Sequence, residues 1–413
     1  MTWDVDYLRD NRDENMGFLS KTLLPDGTEI PGTNFDYNYL QHRKVDVVSS
    51  ALDFILPFEK YKITAGAKVS FTNTRNGINY DTSDPTLVQD DYFRYKEQIY
   101  ALYADYSREY SERFSMQLGL RMEHTRTTGI SEAKDTEDKH DYTRLFPTVY
   151  LLYSPTDGHA LNFSFSNRIS RPSQNMVNPF PFYQNKYTYA CGREDLKPSY
   201  TYNAELGYTL KNNFNVSAYY SYSDDVFFQV VDLDAETNVT SFLWENFMKT
   251  HAFGLNNSYT FRTKWLQAYA QHGVSYRRTT SSAVTTSSEE KGWAYDASLR
   301  NTFFFNEKKT LLATLSGSYS SRQYQGIYLM SPTYSVSAGM LYRLLDNKLN
   351  LSLNVNNLFV SHSKLETMSN GLKIIADNQF SFTSFRIGVS YTFGGDIRSK
   401  GQRNSNEDIQ RRL

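Results

Sequence analysis

The sequence predicts an all-β protein, a transmembrane antiparallel up-and-down β-barrel with about 16 strands in this chain. Three observations predict it. Apolar and polar residues alternate with a period of two. Tyrosine and phenylalanine are abundant although the mean hydropathy is negative. Tight turns alternate with long polar connections.

The alternation is clearest in three segments. Leu349, Leu351, Leu353 and Val355 are interleaved with Asn350, Ser352, Asn354 and Asn356. Phe385, Ile387, Val389, Tyr391 and Phe393 are interleaved with Arg386, Gly388, Ser390 and Thr392. Phe214, Val216, Ala218, Tyr220 and Tyr222 mark one face of a third. Successive strand side chains point to opposite faces, so each segment has one apolar and one wet face. A soluble sandwich would alternate too, so composition has to discriminate. The 33 Tyr and 27 Phe bring aromatics to 15% of 413 residues. A soluble core relies on Leu, Ile and Val, whereas a membrane barrel needs aromatic girdles at both interfaces. Its polar lumen also keeps the average hydropathy low. The chain contains no apolar run of about 18 residues, so helices are not its membrane spans.

Short turns are expected at 57–60, 109–113, 155–158, 211–213, 262–264, 306–309 and 346–348. Between them lie long polar connections at 74–91, 127–141, 170–199, 231–240, 279–290, 322–332 and 360–379. Short periplasmic turns alternating with long external loops characterise outer-membrane barrels. A weaker strand is expected around Trp3, Val5 and Tyr7, and 10–42 leaves room for another short element. An even strand number puts both ends on the periplasmic side. Many strands exceed the roughly 9–11 residues that cross a bilayer, and the excess is expected to stand outward as a rim. Hydrocarbon does not tolerate unpaired backbone groups, so the sheet must close. About 16 strands close as a porin-sized barrel, or form part of a barrel of about 22 whose first strands are missing here.

No linker or compositional shift divides the chain, so residues 1–395 read as one barrel and 396–413 as a polar, disordered periplasmic tail. Lys+Arg (44) balance Asp+Glu (45), which gives no reason for a nucleic-acid partner. The single cysteine, Cys191, reads as a partly buried, inert thiol. The N-terminus has neither a basic nor an apolar leader region, so an exported protein would not begin here and the chain reads as truncated.

Chemistry of the enzymatic kind finds no support in these residues. His42, His124, His140, His159, His251, His272 and His362 form no H-x-x-x-H pair, and no G-x-S-x-G or P-loop occurs. No cofactor and no metal site is expected. The acidic stretches holding Asp81, Asp84, Asp90 and Asp91, and Glu132, Asp135, Glu137, Asp138 and Asp141, match no calcium loop and read as solvated charge. The Thr279–Ser288 run reads as a flexible loop tip.

One stretch is more specific. It runs Arg168-Ile169-Ser170-Arg171-Pro172, Asn178-Pro179-Phe180, Gly192, Leu196-Lys197-Pro198-Ser199-Tyr200 and Glu205-Leu206-Gly207-Tyr208. It resembles the outer-membrane β-barrel branch of TonB-dependent receptors, as do Asn356-Asn357-Leu358-Phe359 and the strand Tyr391-Thr392-Phe393-Gly394-Gly395. Together these cover most of residues 43–395. Arg193 departs from the resemblance, standing where the family usually has Asn. The plug domain and energy-coupling box of such receptors are absent from these residues.

The resemblance implies energy-coupled uptake of a metal chelate, oligosaccharide or peptide across a Gram-negative outer membrane. It implies as partners outer-membrane lipid, the barrel-assembly machinery and the TonB complex, reached through the missing N-terminal part. A self-contained passive pore and an adhesin or assembly scaffold are the alternatives. From their residue types alone, the lumen-facing guanidinium groups of Arg168 and Arg171 are expected to reach loop carbonyls or carboxylates. Pro172, Pro179, Pro181 and Pro198 should hold extended backbone, and Gly192 should serve a tight turn. Asn178, Phe180, Leu196 and Lys197 complete the expected set, which shapes the loop and borders a ligand site. Aromatic, Asn and Arg side chains of 170–199 and 360–379 would form the binding rim.

Overall fold

The structure, a computed structural model, describes residues 1–31, 34–82, 90–360, 363–378, 382–393 and 407–412. Strands β1 (Thr2–Ser20), β2 (Phe35–Pro57), β3 (Tyr61–Thr82), β4 (Asp91–Ser111), β5 (Phe114–Ser131), β6 (Thr136–Tyr153) and β7 (His159–Ser170) follow one another up and down. A helical turn α1 (Gln174–Val177) and the small strands β8 (Phe182–Asn185) and β9 (Thr188–Cys191) interrupt the wall. It resumes with β10 (Ser199–Leu210), β11 (Phe214–Leu233), β12 (Thr240–Arg262), β13 (Leu266–Ser281), β14 (Glu289–Phe304) and β15 (Leu311–Ser320). Then come β16 (Gln323–Gln325), β17 (Tyr328–Met330), β18 (Thr333–Leu344), β19 (Leu349–Val360), β20 (Ser363–Ser369), β21 (Leu372–Asn378), β22 (Ser384–Tyr391) and the short helix α2 (Glu407–Gln410).

Sixteen strands form the wall, each antiparallel to the next, as expected. Its edges are β1 and β22, and among the described residues no ladder joins them. All seven expected tight turns lie at one rim. Both the start of β1, paired with Asp53 near the end of β2, and the end of β22, where Thr392 N–H donates to Lys348 O, lie at this same rim.

The alternation becomes two surfaces. Leu206, Ala218, Leu255, Val274 and Tyr295 stand in one row across β10 to β14, linked by consecutive ladder pairs. Leu206, Leu255 and Tyr295 in that row are exposed. A continuous exposed apolar band would be costly in water and is what lipid requires. Leu255→Arg is therefore expected to lower folded stability in phospholipid vesicles by about 2–4 kcal/mol, measured by urea titration. An unchanged titration would mean that this row does not face hydrocarbon.

Strands β2 and β12 are 23 residues long. Only about 9–11 residues are needed to cross a bilayer, so roughly half of each stands beyond it as the expected rim. This corrects the connections: 74–82 belong to β3 and Asp91 to β4, and 127–141 shrinks to 132–135. Strands standing in water on both faces lose the alternation that marks a membrane strand, and their polar residues read as loop. Hence Glu137, Asp138 and Asp141 lie on β6, with Glu137 bound to Lys139 (3.0 Å) and Asp141 to Arg126 (2.8 Å). Asp84 and His362 lie outside the described residues. β1 runs from Thr2 to Ser20, far beyond the weak strand expected there. Residues 282–288 are pinned, with Ser282 N–H donating to Phe247 O (2.9 Å), rather than forming a loose tip.

Two further substructures fill the long-connection rim. β16, β17, β20 and β21 form a separate four-stranded sheet. Leu365 and Ile374 of this sheet pack on a cluster of Val230, Val231, Phe247, Met248, Ile327 and Tyr328. Of the expected tail, residues 407–412 are described, and Ile409 and Arg412 are held against the inner side of the wall.

Candidate functional site

The 171–198 connection folds inward as a plug of its own over β2 to β5. Val177, Phe180 and Leu196 are buried with Phe35, Tyr37, Tyr39, Ile78, Phe93 and Tyr95 of β2, β3 and β4. The rings of Phe93 and Phe180 meet edge-on at 6.4 Å, and Tyr37 OH donates to Pro181 O (2.9 Å). The aromatic content at this end of the strands is thus a protein core, separate from any interfacial girdle. β9 adds to the wall in parallel beside Thr240–Leu243 of β12, which fixes the far side of the loop.

Gly192 corrects the expectation placed on it. Its φ is not in the left-handed range, and it makes no tight turn. Its N–H donates to Asn178 O (2.9 Å), and the next N–H, of Arg193, donates to Met176 O (2.9 Å). A β-carbon at 192 would stand 2.3 Å from Asn178 O and 2.5 Å from Met176 O. Glycine is required because two backbone segments touch there and leave no room for a β-carbon.

The residues that follow tie the loop to β12. Arg193, the departure from the family pattern, binds Asp195 through two nitrogens (2.6 and 2.8 Å) and Glu245 of β12 (2.9 Å). The Arg193 guanidinium holds the Asp195 carboxyl below the usual carboxylate range. Asn246 accepts from Lys197 N–H (2.8 Å) and donates to Lys197 O (2.9 Å). Cys191 is half-buried, its Sγ 3.1 Å from Pro179 O, and burial pushes the thiol up, which disfavours the reactive thiolate.

Arg171 is the centre of the charged part of the site. Its side chain is 9% exposed and binds Glu123 of β5 at 2.5 Å and Thr125 Oγ1 at 3.3 Å. Its Nε stands 3.9 Å from Glu97 of β4. Arg121 binds the other Glu123 oxygen (2.5 Å). Two buried inward-facing carboxylates on neighbouring strands thus meet a guanidinium delivered by the loop, an arrangement in which each charge needs the others. Arg168, by contrast, is exposed on β7 and stays outside this cluster. Pro172, Asn178, Pro179 and Pro198 are buried, and Lys197 is exposed.

Between this loop and β4, β6 and β10 lies a cavity of about 310 Å³. Tyr95, Tyr142 and Tyr200 supply aromatic walls, Lys139, Arg144 and Lys197 supply cationic groups, and Glu97, Asp141 and Asp225 supply carboxylates. The Arg144 guanidinium lies 4.9 Å from the Tyr200 ring centre, a cation–π geometry. Of the expected site residues, Arg171, Pro172, Leu196, Lys197 and Pro198 border this cavity. Gly192 borders a second cavity of about 380 Å³ on the other side of the loop, beside Tyr39, Arg43 and Trp244. Among the described residues no His/Cys/Asp/Glu group has the geometry of a metal site.

Sequence reasoning missed Glu97, Glu123, Tyr142 and Arg144. A signal for the two glutamates was present. Glu123 stands on the wet face of β5, opposite Leu118, Leu120 and Met122, and Glu97 interrupts the apolar face of β4 between Tyr95 and Ile99; charge at such positions in a barrel strand marks function or pairing. What could not be read was that the two face one arginine.

A model of the outer membrane protein beta-barrel family matches residues 1–391. No curated protein matches the chain. Among solved structures, the chain resembles the copper transporter OprC with 13% identity and a TM-score of 0.62, covering 92% of this chain and 65% of that one. It resembles the ferric yersiniabactin uptake receptor FyuA from Yersinia pestis with 15% identity and a TM-score of 0.61, covering 95% and 59%. It resembles the ferripyoverdine receptor of the Pseudomonas aeruginosa outer membrane with 16% identity and a TM-score of 0.57, covering 94% and 54%. The chain thus spans between half and two thirds of the length of these structures.

Proposed function

Since this chain belongs to the outer membrane protein beta-barrel family, it is an outer-membrane wall, and we propose that it carries the mouth of an energy-coupled nutrient-uptake receptor. The observation that carries the reading is the inward-folded 171–198 loop. It builds a cavity at the long-loop rim lined by aromatic rings and by charges of both signs, Lys139, Arg144, Arg171 and Lys197 with Glu97, Asp141 and Asp225, and is fixed to β4, β5 and β12 by buried charge and hydrogen bonds. A receptor needs a preorganised mouth of this kind.

Support comes also from the size of the wall. Unpaired N–H and C=O groups cost several kcal/mol each in hydrocarbon, so the wall closes on itself. The chain spans only 54–65% of the similar solved structures, which fits sixteen strands as one part of a wall of about 22, as in transporter-sized barrels. The solved structures of similar fold carry names of metal and siderophore uptake. The nutrient classes that fit are a metal chelate, an oligosaccharide or a peptide. The TonB complex would supply the energy and the barrel-assembly machinery would insert the wall.

The test is growth of a strain lacking the natural gene on single limiting nutrients of these three classes. The gene is expected to restore growth on one class, and the double charge reversal Lys139→Glu, Lys197→Glu to remove it without changing the heat-modifiable band of the folded barrel. Restoration that persists after the energy-coupling complex is deleted would replace the reading with a passive pore. Absence of any nutrient-dependent difference would remove uptake altogether.

A further inference from the structure

Glu97 is 3% exposed, and its closest cationic partner belongs to neither the wall nor the mouth loop. Arg412, more than 300 residues further along the chain, places Nη1 3.1 Å from one Glu97 oxygen and Nη2 2.7 Å from the other. This is the two-pronged fit of a planar guanidinium on a carboxylate, which fixes orientation as well as distance. Arg171 Nε lies only at 3.9 Å from the same carboxylate, and its close bond goes to Glu123. Arg412 is thus the nearest cation to a buried carboxylate that water does not reach.

Two independent contacts hold the same short segment. Ile409 is 1% exposed and lies with Val45 and Val47 of β2, with Leu8 of β1 packed against them. The N–H of Gln174, at the start of α1 in the mouth loop, donates to Arg412 O (3.2 Å). Arg412 N–H closes back onto Ile409 O (2.9 Å), so the apolar and charged anchors are presented by one turn. On the inner side, β2 presents Val45 and Val47, both fully buried, and β4 presents Glu97 between Tyr95 and Ile99. That spacing accepts a branched aliphatic side chain and, three residues on, an arginine.

We propose that the inner face of β2 and β4 is a docking site for a short cationic peptide segment of the type aliphatic-x-x-Arg, and that its occupant is this chain's own residues 407–412. The site recognises the segment by three features: a dry aliphatic slot at Val45 and Val47, a buried carboxylate at Glu97, and a backbone donor from the mouth loop. The segment consequently lies inside the wall, on the side opposite to the lipid-facing row. Its release leaves Glu97 with Arg171, whose Nε stands 3.9 Å away, as counter-charge.

Disulfide trapping in isolated outer membranes tests this directly, using the full chain with Cys191→Ser as background. The pair I409C and V47C is expected to cross-link on mild oxidation, read as loss of alkylation by a thiol reagent of defined mass. The control pair I409C and V48C, with Val48 on the lipid side of the same strand, is expected to remain reduced. Adding Arg412→Glu should reduce the 409–47 yield several-fold while the barrel stays heat-modifiable. Cross-linking to 48 as efficient as to 47, or a yield indifferent to Arg412→Glu, would overturn the proposal.

Discussion

Arg171→Ala is expected to destabilise the folded mouth by about 3–5 kcal/mol, because it strands Glu123 as a buried carboxylate. The side chains of Arg171 and Glu123 are 9% and 8% exposed, so water cannot take over the role of the missing guanidinium. Arg121 remains on one Glu123 oxygen, which makes the lower end of the range the better estimate. The measurement is a urea titration of the barrel in vesicles, read through protease cleavage between residues 172 and 198. The double variant Arg171→Met, Glu123→Leu should lose much less, since replacing both partners with apolar groups removes the charge rather than orphaning it. A double variant as unstable as the single one would show that packing, and not charge, is what Arg171 contributes.

Gly192→Val should be of comparable size, with about 3 kcal/mol lost through overpacking at a point that cannot relax. The new side chain meets backbone oxygens of Met176 and Asn178, not the movable end of a side chain. Relief requires the strands of the loop to part, which breaks the bonds from Gly192 and Arg193 and lifts Phe180 from its place beside Phe93. Protease cleavage within 172–198 should accelerate and nutrient uptake should fall, while the heat-modifiable barrel persists. Gly192→Ala retaining wild-type protection would show that the two segments separate at little cost.

These two residues also mark how far the site was legible. The stretch from Arg168 to Pro198 stood out because its proline, asparagine and arginine spacing resembles a known barrel loop. Five of its residues do border the mouth cavity. Glycine at 192 was visible, but the reason for it was misread. A turn glycine and a contact glycine look identical in sequence, and only the approach of Asn178 distinguishes them. Lys139, Tyr142 and Arg144 were placed in or beside an acidic loop, since β6 beyond the membrane has polar residues on both faces. Burial of Tyr37, Phe93 and Phe180 together was equally hidden, because aromatic residues in a membrane barrel are first assigned to its interfaces.

By itself the sequence determined the class of fold, the up-and-down order of the strands, the seven tight turns and the side of the wall that faces lipid. Each depends on neighbours in the chain: alternation with period two, a turn of a few residues, and an outward row that antiparallel pairing carries from strand to strand. Only the tertiary structure decided what fills the space inside. The pairing of Glu123 with Arg171, of Glu97 with Arg412 and of β9 with β12 joins residues 48 to 315 positions apart. Such contacts leave no local period, because what selects them is the need of a buried charge or strand edge for whichever partner the curved wall brings near.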